Sequence, residues 1–236
     1  MTVAAVTLDV TGTMIHSPRL AEIYASVLTR HGLEVDAPTI GPVIEQVWQE
    51  FDCQVALGQE RFGEHPQGAV GWWRRFMERV AEHLDRPSPG RFAAAELYDR
   101  FAHADAWEIY PDVLPALSKL CESWRLVVLS NWDPRLPTLL ERLALAPFFE
   151  EIVYSAAIGA EKPHAAIFDI ALDRLELGAN RVVHVGDRSK DDVEGATAVG
   201  MHALLLDRDG QGDLATLTDL PDAIRDLDTS EPLDVA

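Results

Sequence analysis

Cysteine is nearly absent from this 236-residue chain, which carries only Cys53 and Cys121. Neither sits in a CxxC or Cys/His cluster, so a disulfide framework and a structural zinc site are both excluded. Cys121 falls in a helical pattern and is expected as a small core residue. Basic residues are scarce as well: 20 Lys and Arg stand against 39 Asp and Glu, a formal net charge of −19. A surface of that sign does not suit a phosphate backbone or an anionic membrane. It suits solubility, and it leaves a small anionic substrate open, because one lysine and one metal ion can reverse the sign inside a cleft. No apolar run approaches the ~18 residues of a spanning helix. The N-terminus has no basic stretch, and Asp9 interrupts its apolar segment, so a signal peptide is not expected. The expectation is a cytoplasmic protein, a monomer or homodimer, that binds neither nucleic acid nor membrane. There is no internal repeat and no low-complexity tract.

Apolar residues are present in quantity, at 47% of the chain, ample for a core. Five short runs have the non-alternating character of strands covered on both faces: Val3–Leu8, Leu126–Leu129, Glu151–Tyr154, Arg181–Val185 and Ala203–Leu206. Helical spacing separates the last four, as in Leu136, Leu139, Leu140 and Leu143, or Phe168, Ala171, Leu172 and Leu175. The fold class predicted is α/β, a Rossmann-like doubly wound parallel sheet. More than a hundred residues separate the first two strands, far beyond a simple crossover. That stretch reads mostly as helix. Leu20, Ile23, Tyr24, Val27 and Leu28 form one stripe that Gly32 would stop, residues 40–57 and 69–84 have helical character, and Pro87-Ser88-Pro89-Gly90 is a break. Residues 15–107 are therefore expected to be an inserted helical cap, with 1–14 and 108–236 as the core. Pro111 is expected to start the next helix, and the chain from about 228 to be frayed. Trp72-Trp73-Arg74-Arg75 reads as an amphipathic helix with tryptophans inside and arginines in water, in preference to a substrate wall.

Polar residues gather at the strand ends. Asp9 ends the first strand and leads into a turn containing Gly12. Ser130-Asn131 ends the second, Gly186-Asp187 the fourth, and Lys162-Pro163 follows the third. In an open parallel sheet these ends meet in one crevice. Each has a plain explanation alone: turn residue, helix cap, solvated charge, or first-turn acid for Asp191 and Asp192. Together, Asp9 and Asp187 would repel unless a hard cation such as Mg²⁺ lay between them. Ser130 and Lys162 would hold an anion. The set reads as phosphoryl transfer through an aspartyl intermediate on a small phosphorylated substrate.

Four segments resemble the motifs of the haloacid dehalogenase (HAD) superfamily, most closely its HDHD3/REG-2-like branch: Asp9-Val10-Thr11-Gly12-Thr13, Leu129-Ser130-Asn131, Lys162-Pro163, and Gly186-Asp187 continuing through Asp191-Asp192. The resemblance implies that Asp9 is the nucleophile. It implies that Asp9, the Thr11 carbonyl and Asp187 hold Mg²⁺, with Asp192 assisting through water or by holding Lys162; Asp191 fits a shorter spacing of the motif. It implies that Ser130, Asn131 and Lys162 bind the phosphoryl group. The sequence departs from the family's phosphatases at Thr11, where they carry the Asp that protonates the leaving group. A phosphatase slow on alkyl esters is the resulting expectation, with His16 as a conceivable substitute acid. A 2-haloacid dehalogenase-like or phosphonate hydrolase, and a catalytically impaired binding protein, remain the alternatives.

Overall fold

The computed structural model describes residues 2–54, 59–63 and 65–230. Five parallel strands form the main sheet: β1 (Ala5–Leu8), β4 (Arg125–Ser130), β5 (Glu151–Tyr154), β6 (Val182–Gly186) and β7 (His202–Leu205). Their order is β5-β4-β1-β6-β7, so the first strand is central. All five expected runs are strands, with ends shifted by no more than two residues and those of Glu151–Tyr154 not at all. Their lack of alternation has the anticipated cause: both faces are covered. On one face Val6, Leu8, Val128 and Val185 join a cluster with Leu117, Leu139 and Ile224. On the other, Ala5, Val127, Leu129 and Val153 pack against Ile167, Phe168 and Leu175. These come from helices α5 (Val113–Leu120), α6 (Leu136–Arg142), α8 (Ala165–Leu175) and α10 (Leu220–Ser230). The architecture is a Rossmann-like α/β sandwich.

Register does the positioning. Leu8 lies opposite Val128 on one side and Val185 on the other. The residues one or two positions further along, Asp9, Ser130 and Asp187, therefore gather at the carboxyl edge of the sheet, Ser130 as the last residue of β4.

Among the described residues, four α-helices lie between residues 17 and 107: α1 (Leu20–Arg30), α2 (Ala37–Gln54), α3 (Gly68–His83) and α4 (Gly90–Arg100). They enclose a separate apolar cluster whose buried members run from Ile23 to Ala106. A two-stranded antiparallel ribbon, β2 (Ile15–His16) with β3 (Glu108–Ile109), joins the outgoing and returning chain. Gly32 stops α1 as expected. At φ +85° it takes the left-handed position, its N–H donating to Thr29 and that of Leu33 to Leu28, a Schellman closure.

Three expectations are corrected. Helix α5 starts at Val113 rather than Pro111, because the Asp112 carboxylate is held by Arg208, the Thr216 hydroxyl and the Leu217 N–H. That helix ends at Leu120, which leaves Cys121 exposed rather than in the core. Residues 228–230 are helical rather than frayed, and Asp228 accepts from the Val3 N–H at 2.7 Å. The rest of the expected frayed tail, the expected helical residues 55–57 and the Cys53 side chain lie outside the described residues. Among the described residues, no helix is long and apolar enough to cross a membrane.

Candidate active site

The turn after β1 is built from backbone first. The N–H groups of Met14 and Ile15 both donate to the Val10 carbonyl, and Gly12 donates to Ile15. Gly12 sits at φ +82°, and a Cβ there would lie 2.2 Å from Asp187 Oδ2. Only glycine satisfies both the conformation and the space. Arg208 braces the turn from outside, donating to the Thr13 carbonyl at 2.7 Å and stacking on Tyr110. Nothing in the sequence marks Arg208, which lies almost two hundred residues from the turn that it holds.

Asp9 is buried at the floor of the crevice. Its Oδ1 accepts from the Ser130 hydroxyl at 2.8 Å and from Lys162 Nζ at 2.8 Å. Among the described residues Oδ2 accepts no hydrogen bond. Lys162 is itself buried; its ammonium also donates to the Leu129 carbonyl at 3.0 Å and to Asp192. Burial alone would lower the lysine pKa, but the Asp192 and Asp9 carboxylates reverse that and hold it above its usual value. The Asn131 carboxamide brackets the Lys162 backbone. Its Oδ1 accepts from the Lys162 N–H at 2.7 Å and its Nδ2 donates to the Lys162 carbonyl at 2.9 Å.

Asp192 holds Lys162, and both of its oxygens accept hydrogen bonds. Oδ1 faces Lys162 and His184 Nε2, and Oδ2 accepts from the Arg188 N–H. Burial pushes this carboxyl up, yet Lys162 and His184 together hold it well below the ordinary range. Gly186 makes the arrangement possible, because a Cβ there would meet Asp192 Cγ at 2.1 Å. His184 was not foreseen from sequence. It is fully buried on β6, with Nδ1 2.8 Å from the Thr7 hydroxyl. Since Asp192 can only accept, Nε2 carries the proton and Nδ1 accepts from Thr7. Burial lowers the His184 pKa and keeps the ring neutral. Thr7, His184, Asp192, Lys162 and Asp9 thus form one buried chain. Asp191 lies outside it and pairs with Arg188.

Asp9, Asp187 and Asp192 offer oxygens within 4.8 Å of one another. With one ammonium among three carboxylates, negative charge is in excess. Asp187 is exposed at the crevice mouth, yet partial desolvation by the surrounding walls, with the Asp9 and Asp192 carboxylates adding, pushes it up to about 7. Burial raises Asp9 as well, against the pull of Lys162. A hard divalent cation between Asp9 and Asp187 fits this charge surplus.

The cavity above these groups measures about 440 Å³, and Thr11 and His16 line it. Thr11 is exposed, and its hydroxyl has no hydrogen bond among the described residues. His16 stacks on Tyr110 with ring centroids 4.4 Å apart. The expectation for the tryptophan pair holds only for Trp72, which is 5% exposed. Trp73 is half-buried, lines the cavity and donates its indole N–H to Asp133 at 2.8 Å.

A family model described as haloacid dehalogenase-like hydrolase matches residues 3–200. The chain belongs to that family. As a member it is a hydrolase. It is 30% identical over 191 residues to haloacid dehalogenase-like hydrolase domain-containing protein 3 of Bos taurus, covering 78% of this chain and 73% of that protein. That similarity supports the HDHD3-like branch. A glyceraldehyde 3-phosphate phosphatase of Methanopyrus kandleri is 29% identical over 241 residues, covering 98% of this chain and 94% of that one. Among solved structures, YfnB from Bacillus subtilis, crystallised with magnesium, superposes with TM-score 0.75 at 14% identity, covering 95% and 99% of the two chains. That last likeness shows the fold.

Proposed function

We propose that this family member is a Mg²⁺-dependent phosphohydrolase acting on a small phosphorylated substrate through an aspartyl-phosphate intermediate. One observation carries the reading: Asp9 presents a free Oδ2 beside Asp187, while Ser130 and Lys162 pin its other oxygen. The similarity to a named phosphatase supports the reaction class. In the first half-reaction Asp9 Oδ2 bonds to phosphorus and the bond to the leaving oxygen breaks, the electron pair staying on that oxygen. Water then cleaves the acyl phosphate, releasing inorganic phosphate and restoring the carboxylate. Ser130 and Lys162 fix the attack direction and face the phosphoryl oxygens. When bound, Mg²⁺ supplies Lewis-acid neutralisation of the phosphoryl charge, held by Asp9, Asp187 and the Thr11 carbonyl. The four-helix unit acts as the cap that excludes water from the cavity.

Thr11 sets the limit. A hydroxyl does not protonate a leaving alkoxide near neutral pH, and such a group is worth ~10²–10⁴-fold. Acyl and aryl phosphates are the favoured substrates, and ordinary alkyl esters turn over slowly. Thr11→Asp is expected to raise kcat on glyceraldehyde 3-phosphate by about 10²-fold. Because the Thr11 side chain is exposed and has no hydrogen bond among the described residues, the change is expected to leave the Tm of the Mg²⁺-loaded protein intact. Unaltered turnover on alkyl esters would show that leaving-group protonation is not the limit. Release of halide from 2-haloacids in the presence of EDTA, without phosphate release, would move the protein to the dehalogenase alternative.

The surplus charge at Asp187 yields a second expectation. Its pKa in the fold, about 7, lies above the ordinary carboxylate value. The fold therefore binds this proton more tightly than the unfolded chain does, and the metal-free protein loses stability as pH rises between about 4 and 7. Mg²⁺ replaces the proton. The rise in Tm on adding Mg²⁺ is expected to be larger at about pH 7.5 than at about pH 5.5. Equal increments at both pH values count against Asp187 as a ligand.

A further inference from the structure

We infer that the cavity selects a flat, aromatic, uncharged leaving group, so that aryl phosphate monoesters are the substrate class; this deepens the phosphohydrolase reading and rests on it. Two aromatic banks carry the inference. Trp48, Phe62 and Trp73 form one, with Phe62 and Trp73 stacked 17° from parallel at 6.1 Å and Trp48 set edge-on to Trp73 at 5.5 Å. Phe101, Trp107 and Trp132 form the other, Trp107 lying 5.3 Å from Trp132 and 5.8 Å from Phe101. The second bank starts two residues beyond Ser130, so an aromatic surface begins beside the phosphoryl position. Trp73 is fixed before any ligand arrives: its indole N–H is bound to Asp133 and Arg135 lies against its ring. Rigid aromatic walls favour planar groups by stacking, at little ordering cost.

Charge selects in the same direction. Four basic side chains line the cavity besides His16, and among the described residues each is already paired. Arg61 binds Asp52 and Glu161; Arg135 binds Asp133; Arg188 binds Asp52 and Asp191; Lys162 binds Asp9 and Asp192. A second phosphate or a carboxylate on the leaving group would find no free cation and would face Asp52, Asp133 and Asp191. Such unpaired charge is rejected strongly. The missing acid at position 11 agrees. A phenolate, with conjugate acid near pKa ~10, leaves without the protonation that an alkoxide needs. The P–O(aryl) bond breaks as Asp9 Oδ2 bonds to phosphorus, and the phenolate takes its proton from solvent water.

The test separates binding from turnover. Calorimetric titration of the Mg²⁺-loaded protein with benzylphosphonate and with propylphosphonate, neither of which can lose an aryl oxygen, measures selection alone. Benzylphosphonate is expected to bind about tenfold tighter. Trp73→Ala should erase that ratio and Trp73→Phe should keep most of it, with melting curves confirming that each variant is folded. In parallel, phosphate release from phenyl phosphate should exceed that from glyceraldehyde 3-phosphate. Equal affinity for the two phosphonates, or no binding of either, overturns the inference even if phosphate release persists. Selective benzylphosphonate binding with no phosphate release from any ester supports the aromatic chamber and overturns the hydrolase reading.

Discussion

Asp9→Asn is expected to reduce phosphate release by on the order of 10⁵-fold while leaving the protein folded. The amide keeps an oxygen where the Oδ1 that accepts from Ser130 and Lys162 now stands, so the local hydrogen bonds survive. It removes one of the three crowded carboxylates, so the metal-free variant should melt no lower than wild type. Loss of turnover with retained Tm isolates the nucleophile from any structural role. The native enzyme should also accumulate phosphate on the peptide containing Asp9, because Thr11 provides no base for the second water attack. Mass spectrometry of acid-quenched protein reads this directly. Mg²⁺-dependent release surviving in Asp9→Asn at more than a tenth of the native rate would eliminate the covalent mechanism.

Lys162→Met should have a comparable effect on activity and a far larger effect on stability. The ammonium is buried between Asp9 and Asp192, and methionine of similar length leaves both carboxylates without their shared cation. Breaking a buried pair on one side costs about 3–5 kcal/mol. The expected signature is a sharp loss of stability at neutral pH that eases as acid protonates the stranded carboxylates. The sign follows from linkage: Asp192 is held low only by its partners, and without Lys162 its pKa rises. Stability then falls as pH climbs past the ordinary carboxylate range. Adding Asp192→Asn should recover a large part of the lost stability and none of the activity. Denaturant unfolding across pH tests this, and a variant as stable as wild type at neutral pH would mean the ion pairs contribute nothing net.

Much of this site was readable beforehand, for a physical reason. Strands buried on both faces must be apolar throughout, so Asp9, Ser130 and Asp187 stand out where those runs end, and parallel register brings such ends together. What escaped has partners remote in the chain. His184 sits inside an apolar run and looks like one more strand residue until Thr7 and Asp192 are seen on either side of it. Arg208 meets its turn only through tertiary packing. Trp73 differs from Trp72 by one position on α3, about 100° of rotation, and periodicity could not say which of the two faced the cavity. Cys121 was misplaced because α5 ends one residue before it.

The contrast between Thr11 and Lys162 bears on how such a protein changes over generations. Asp192 joins Lys162 to His184 in a buried chain, so a substitution at Asp192 takes a partner from both, one at either end takes a buried partner from Asp192, and drift there requires compensating changes. Thr11 is exposed and its side chain is attached to nothing among the described residues. Its replacement costs the fold little. If the protein follows the proposed covalent mechanism, selection can retune the second half-reaction through a single codon, while the buried groups around Asp9 change only together.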